Sequence, residues 1–174
     1  MSSSSSSWCA GAIPWPSPAE VGTSLNIAVA GAGIGGLAAA ALLARQGHQV
    51  TVFDQFDAPQ PVGSGLILQE TGLAILGELG LRSDAQRLGA PLRRLHGESV
   101  GSGRTVLDVR YDALRPGLCG VSVQRPALFN LVHDAARTAG ADIAVSTRII
   151  SAHAATGYVT TGAGDTLGPF ELVV

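Results

Sequence analysis

The sequence has almost no cysteine, little charge and few aromatic residues, and each shortage removes a class of function. Its two cysteines, Cys9 and Cys119, cannot build a disulfide framework and fall in no C-x-x-C or Cys/His ligand spacing. That usage points to a reducing compartment, the cytoplasm. His48, His96, His133 and His153 are scattered without an H-x-x-x-H or similar grouping, so no metal site is expected. Charged residues make up only 14% of the chain and the net charge is −2, which gives nucleic acid or anionic lipid no electrostatic reason to bind. Neither a G-x-S-x-G nucleophile elbow nor a P-loop is present, and no segment repeats. What is plentiful is apolar. Hydrophobic residues at 46% and 23 glycines in 174 residues describe a Gly- and Ala-rich globular chain, long enough for one domain with a real core.

The chain is organised around residues 25–54, LNIAVAGAGIGGLAAAALLARQGHQVTVFD. A short apolar run, a glycine cluster, an alanine-rich run and a second apolar run closed by an acid read as strand, tight turn, helix and strand. That is the βαβ unit that binds the diphosphate of a dinucleotide. Gly31, Gly33 and Gly36 match G-x-G-x-x-G. Gly31 lets the chain leave the strand in a turn that a side chain would obstruct, Gly33 lets backbone N–H groups approach the phosphates, and Gly36 lets the helix pack on the strand. The turn runs through Ile34 and Gly35 into a helix N-terminus, which presents unpaired N–H groups and a positive dipole end.

Asp54 follows Gly31 by 23 positions, close to the offset of about 20 for an acid that accepts from the adenosine ribose hydroxyls. Its charge disfavours a 2′-phosphate, and so an NADP-type ligand. Two other readings stand beside this one. Residues 25–44 carry no charge, and Gly31 with Gly35 makes a G-x-x-x-G, the pattern of a dimerising membrane helix. Four glycines in six positions suit a turn better than a helix interior, where each costs about 1 kcal/mol against Ala. The unit could also be scaffold with no ligand.

Residues 1–24, with six consecutive serines and prolines at 14, 16 and 18, read as a flexible tail without the features of a secretory or mitochondrial leader. In it, Trp8 and Trp15 would be either anchors to a partner or incidental. Residues 55–64, with Pro59, Pro61 and Gly63, form a loop. A short apolar stretch at 65–69 precedes a helix from Thr71 with Leu73, Leu76 and Leu79 at helical spacing, stopped at Gly80, and a short helix over 82–88. Residues 93–100 and 104–109 read as a hairpin turning at 101–103, 111–117 as loop, and 120–124 as a strand. Pro126 opens a helix to Thr138 with Leu128, Leu131, Val132 and Ala135 on one face and Gly140 capping it. Strands follow at 141–146, 149–154, 158–161 and 170–174. The last ends on ELVV with no turn or cap, so the C-terminus reads as cut.

Three blocks, in order and spacing, resemble the N-terminal part of the FAD-dependent aromatic hydroxylases, the single-component flavoprotein monooxygenases of the para-hydroxybenzoate hydroxylase and salicylate hydroxylase type. They are IAVAGAGIGGLAAAALLARQGHQVTVFDQ, PVGSGLILQETGLAILGELGL and VSVQRPALFNLVHDAARTAG. The first is shared with many flavoproteins, and the second and third separate this family from nicotinamide dehydrogenases. The resemblance implies an α/β chain: a Rossmann-like FAD-binding βαβ domain over 25–174, C-terminally truncated, with an inserted β-hairpin region at about 91–123.

It further implies that Gly31, Gly33 and Gly36 hold the FAD diphosphate, with Ile34 and Gly35 also cofactor-binding, that Asp54 binds the adenosine ribose, and that Arg125 reaches phosphate or ribose oxygens. Gly63 to Gly65 would allow backbone to approach the flavin closely. The family often follows the acid with an arginine, and here Gln55 follows Asp54. The implied reaction uses NAD(P)H and O2 to hydroxylate an aromatic or similar small molecule. No residue is singled out as a catalytic acid or base, since Asp57, Glu70 and His96 read as solvated surface. Further cofactor-binding segments of the family would lie beyond Val174, so the chain alone is expected to show little or no turnover. The competing readings are a non-catalytic dinucleotide-binding module or truncated gene product, and an NAD-linked dehydrogenase or amine-oxidase-like flavoprotein sharing the glycine motif.

Overall fold

A computed structural model describes residues 23–58 and 63–174. The tail reading, with Trp8 and Trp15, and the middle of the 55–64 loop therefore fall mostly outside the described residues. The chain divides into two compact units, one holding the described residues up to 63 together with 125–174, the other holding 64–124.

The first unit is built on a parallel sheet. Strand β1 (Asn26–Ala30), helix α1 (Ile34–Arg45) and strand β2 (Gln49–Phe53) form the βαβ unit that the glycine spacing predicts. A single membrane-spanning helix over this stretch is thereby replaced by strand, turn and a 12-residue helix. Among the described residues no helix is long and apolar enough to cross a membrane. Ile27, Ala28 and Val29 are buried in succession, as expected of a strand covered on both faces. Leu37, Ala40 and Ala41, at helical spacing, form the buried stripe of α1. Burying a side chain such as Ile27 or Leu37 is worth about 1.5–3 kcal/mol.

Elements are numbered along the chain, and those of this unit resume at α5 (Arg125–Thr138), β8 (Asp142–Ala144), β9 (Ile149–His153), β10 (Tyr158–Thr161), β11 (Thr166–Leu167) and β12 (Leu172–Val173). Helix α5 packs against α1. Its buried residues are Leu128, Phe129, Val132 and Ala136; Leu128 and Val132 belong to the face read in the sequence, while Leu131 and Ala135 of that face are half-buried. The sheet order is β12-β1-β2-β8, every neighbouring pair parallel. Beside it, β9, β10 and β11 form a small antiparallel sheet. Parallel pairing has one consequence for function. It brings the C-terminal ends of β1, β2 and β8 to the same edge, so the loops at 31–33, 54–56 and 145–148 gather there, where open α/β sheets bind ligands.

The second unit comprises β3 (Gly65–Leu68), α2 (Glu70–Glu78), α3 (Arg82–Arg87), β4 (Gly89–Leu92), β5 (Arg94–Glu98), β6 (Thr105–Arg110), α4 (Tyr111–Leu114) and β7 (Gly120–Gln124). Its antiparallel sheet has the order β3-β7-β4, and β5 with β6 makes a separate hairpin. Leu73, Leu76 and Leu79 are buried as their spacing predicts. Two elements escape the sequence reading. Residues 111–114, expected as loop, form the single helical turn α4, too short to show periodicity. Strand β4 contains Pro91, which it tolerates as an edge strand. In the hairpin, Arg94 Nε and Nη2 donate to the two oxygens of Asp108 at 2.6 and 2.9 Å. That hydrogen bonding holds the Asp108 carboxyl below its usual range.

Candidate functional site

The turn after β1 is held tightly. Gly31 has φ +110, a conformation that side chains disfavour, and its N–H donates to the Phe53 carbonyl at 2.7 Å, tying the exit of β1 to the end of β2. Gly33 is the N-cap of α1 and its carbonyl accepts from Leu37 N at 2.9 Å. A Cβ on Gly36 would run into the Gly31 carbonyl oxygen and lie 3.3 Å from Val29 Cγ1, so the first turn of α1 rests directly on the strand exit. At Gly33 and Gly35, by contrast, a Cβ would meet nothing within 4 Å. Open space therefore faces this end of the helix. The N–H groups of Gly33, Ile34, Gly35 and Gly36 have no acceptor among the described residues, and no acid or side-chain cap sits in the first turn. Four orphan donors at a positive dipole end suit an anion.

Asp54, just past β2, is only 9% exposed. Its Oδ2 accepts from Ala32 N at 2.7 Å and its Oδ1 from Phe56 N at 2.9 Å. The carboxylate thus clamps the glycine turn to the segment after β2. An ionised carboxylate offers about four acceptor positions, so two stay open for a ligand's hydroxyl groups. The backbone of Asp54 is fixed as well, donating to Ala144 O at 2.9 Å and accepting from Thr147 N at 2.7 Å.

Arg125, the first residue of α5, lines a cavity of about 120 Å³ with Ala32, Gly33, Ile34, Asp54 and Phe56. Its side chain lies over Gly63, where an added Cβ would come within 3.0 Å of Arg125 Cδ and 3.2 Å of Nη1. The bare backbone at Gly63 leaves Arg125 its place. The structure therefore brings Gly31, Gly33, Ile34, Gly35, Gly36, Asp54 and Arg125 together in one unit. Gly65 belongs to the other unit, as the first residue of β3 opposite Gln124. Asp57 is exposed, Glu70 is engaged by Arg82 at 3.0 Å, and His96 stands opposite Asp108 in the hairpin.

One segment has no counterpart in the sequence reading. A second cavity, of about 200 Å³, is lined by Gly31, Phe53, Asp54, Gln55, Thr147 and Arg148 among others. The loop after β8 contributes the last two. Its signal was available only through topology: once β8 is known to run parallel beside β2, its following loop must open at the same edge.

Residues 24–167 match the family described as FAD binding domain. The chain belongs to that family. Among relatives of this FAD-binding domain, the asperlicin C monooxygenase of Petromyces alliaceus is 28% identical over 127 residues, covering 72% of this chain and 28% of that protein. The 3-amino-4-hydroxybenzoate 2-monooxygenase of Streptomyces cremeus is 36% identical over 94 residues, covering 52% and 24% respectively. The tetrameric form of 2-methyl-3-hydroxypyridine-5-carboxylic acid oxygenase superimposes with a TM-score of 0.73 at 25% identity, over 87% of this chain and 39% of that one. The FAD-binding domain described here thus spans between 24% and 39% of the length of these relatives.

Proposed function

We propose that the unit carrying the glycine turn binds FAD, with the diphosphate on the N–H groups of Gly33 to Gly36 beside Arg125 and the adenosine ribose on Asp54. It would serve as the FAD-binding portion of a cytoplasmic flavin-dependent monooxygenase that uses NAD(P)H and O2 to hydroxylate an aromatic or similar small molecule. The row of unpartnered N–H groups facing open space, with Asp54 and Arg125 in the same cavity, carries this reading. The monooxygenase names of the relatives support the activity. Bound FAD supplies the electron transfer and the oxygen chemistry.

The chain's own residues bind and orient. The helix end and the Arg125 guanidinium, with its planar fork, neutralise the diphosphate. Asp54 selects ribose hydroxyls and repels a 2′-phosphate, which disfavours NADP in this turn. Each Asp54 oxygen already accepts a backbone N–H, so its part is to hold and orient the ligand and no proton transfer is assigned to it. The chain alone is therefore expected to oxidise NAD(P)H no faster than the same concentration of unbound FAD. Substrate-stimulated oxidation by the purified chain would contradict that.

Binding itself is tested by titration with FAD, followed through flavin fluorescence. Saturable binding is expected, and Arg125→Ala should raise Kd about 10- to 100-fold, the loss of one to two charge-assisted hydrogen bonds. An unchanged Kd in that variant removes Arg125 from the site, and no saturable binding by the parent chain overturns the FAD reading.

A further inference from the structure

Beyond Gly31 and Asp54, the lining of the cavity of about 200 Å³ has no role in the function proposed above, and Arg148 is the only cation among the described residues that line it. The backbone around Arg148 is fixed from two sides. Ser146 N donates to Phe56 O and Thr147 N to Asp54 O, each at 2.7 Å, while the Arg148 carbonyl accepts from Gly162 N, also at 2.7 Å. Thr147 Oγ1 donates back to Val145 O at 2.9 Å. Ser146 has φ +52, left-handed and uncommon for a residue with a side chain. Such conformations are strained and persist where surrounding bonds impose them. The Arg148 side chain, by contrast, is exposed and makes no hydrogen bond or ion pair with any described residue. A long cation on a clamped backbone thus faces a cavity whose other walls are uncharged apart from Asp54.

We infer that Arg148 holds the adenine base of the cofactor, its guanidinium plane lying on the face of the ring. This rests on the FAD reading above. With the diphosphate on the α1 N-terminus and the ribose on Asp54, the next group along the dinucleotide is the base. The cavity that adjoins Asp54 and opens toward 147–149 is the space that continues that line. Its chemistry fits a neutral ring: Phe53 and backbone give apolar wall, Gln55 is uncharged, and a guanidinium stacks well on a π-face. Asp54 excludes the competing occupant, a phosphate on the ribose.

Calorimetric titration of the parent chain, R148A and R148K with FAD and with ADP tests the assignment. Both ligands carry the adenosine, so R148A should raise both Kd values by the same factor, about 5- to 30-fold for a cation on an aromatic face. R148K should recover only part of the loss, because an ammonium has no plane to stack. The side chain is exposed, so R148A should melt with the parent. Unchanged Kd values in R148A overturn this inference and leave the FAD reading standing. Full rescue by R148K, or a loss that disappears at high salt, assigns Arg148 to a phosphate and overturns it too. If the parent chain binds neither ligand, the FAD reading falls and takes this inference with it.

Discussion

Gly36→Ala is expected to lower stability and abolish tight FAD binding together. The added methyl would occupy the place of the Gly31 carbonyl oxygen, and neither partner can give way cheaply. Gly31 is fixed by its left-handed φ of +110 and by its bond to the Phe53 carbonyl. Helix α1 is fixed by the burial of Leu37, Ala40 and Ala41, all 0% exposed. The clash must be relieved by lifting the first turn of α1 off the strand exit. Overpacking of this kind costs about 1–3 kcal/mol, and the lifted turn no longer aims its N–H groups at one point. Gly35→Ala is the control, because a Cβ there meets nothing within 4 Å and alanine is about 1 kcal/mol better than glycine within a helix. It should melt at or above the parent temperature while weakening FAD by intruding on the ligand's space. Thermal unfolding by circular dichroism, paired with FAD titration, separates the two variants. A G36A protein that melts and binds as the parent does would show that α1 does not rest on Gly31 as described.

The difference between what was and was not legible in the sequence follows from how local each signal is. The βαβ unit was readable because every part of its signal falls within residues 25–54: the glycine spacing, the alanine-rich helix and the closing acid. The pairing of β12 with β1 was not, since Ile27 meets Leu172 across the whole chain and nothing local marks the partner. The segment 170–174 could be recognised as strand-like without its neighbour being known. Arg148 was invisible for the same reason, an ordinary polar loop residue until β8 is placed beside β2. Ser146 compounds this, because a left-handed serine carries no glycine to announce the turn. Asp54 shows the limit in another way. Its position suggests a ribose ligand, but only the fold shows that both oxygens already hold backbone N–H groups.

That double engagement makes Asp54→Ala the second large effect, and one whose two parts can be separated. Without a ligand, removing the carboxylate strips the acceptor from Ala32 N, in a residue only 4% exposed, and from Phe56 N. A buried donor left without a partner costs about 1–3 kcal/mol, and hydrogen bonds to a charged group are worth about 1.5–3 kcal/mol each. A loss of about 2–4 kcal/mol is expected, read as a fall in melting temperature of the FAD-free protein. Asp54→Asn should lie between, since one amide oxygen can serve one N–H while the NH2 confronts the other donor. With a ligand, a second quantity appears. FAD at about 100 times its Kd raises the stability of the parent by about 2.7 kcal/mol, and this increment should shrink or vanish in both variants if Asp54 also takes the ribose hydroxyls. The clamp role fails if FAD-free D54A melts with the parent. The ribose role fails if saturating FAD raises the melting temperature of D54A as much as it raises that of the parent. Because the clamp is measured without ligand and the ribose contact as a difference with it, one side chain can be assigned both, either or neither.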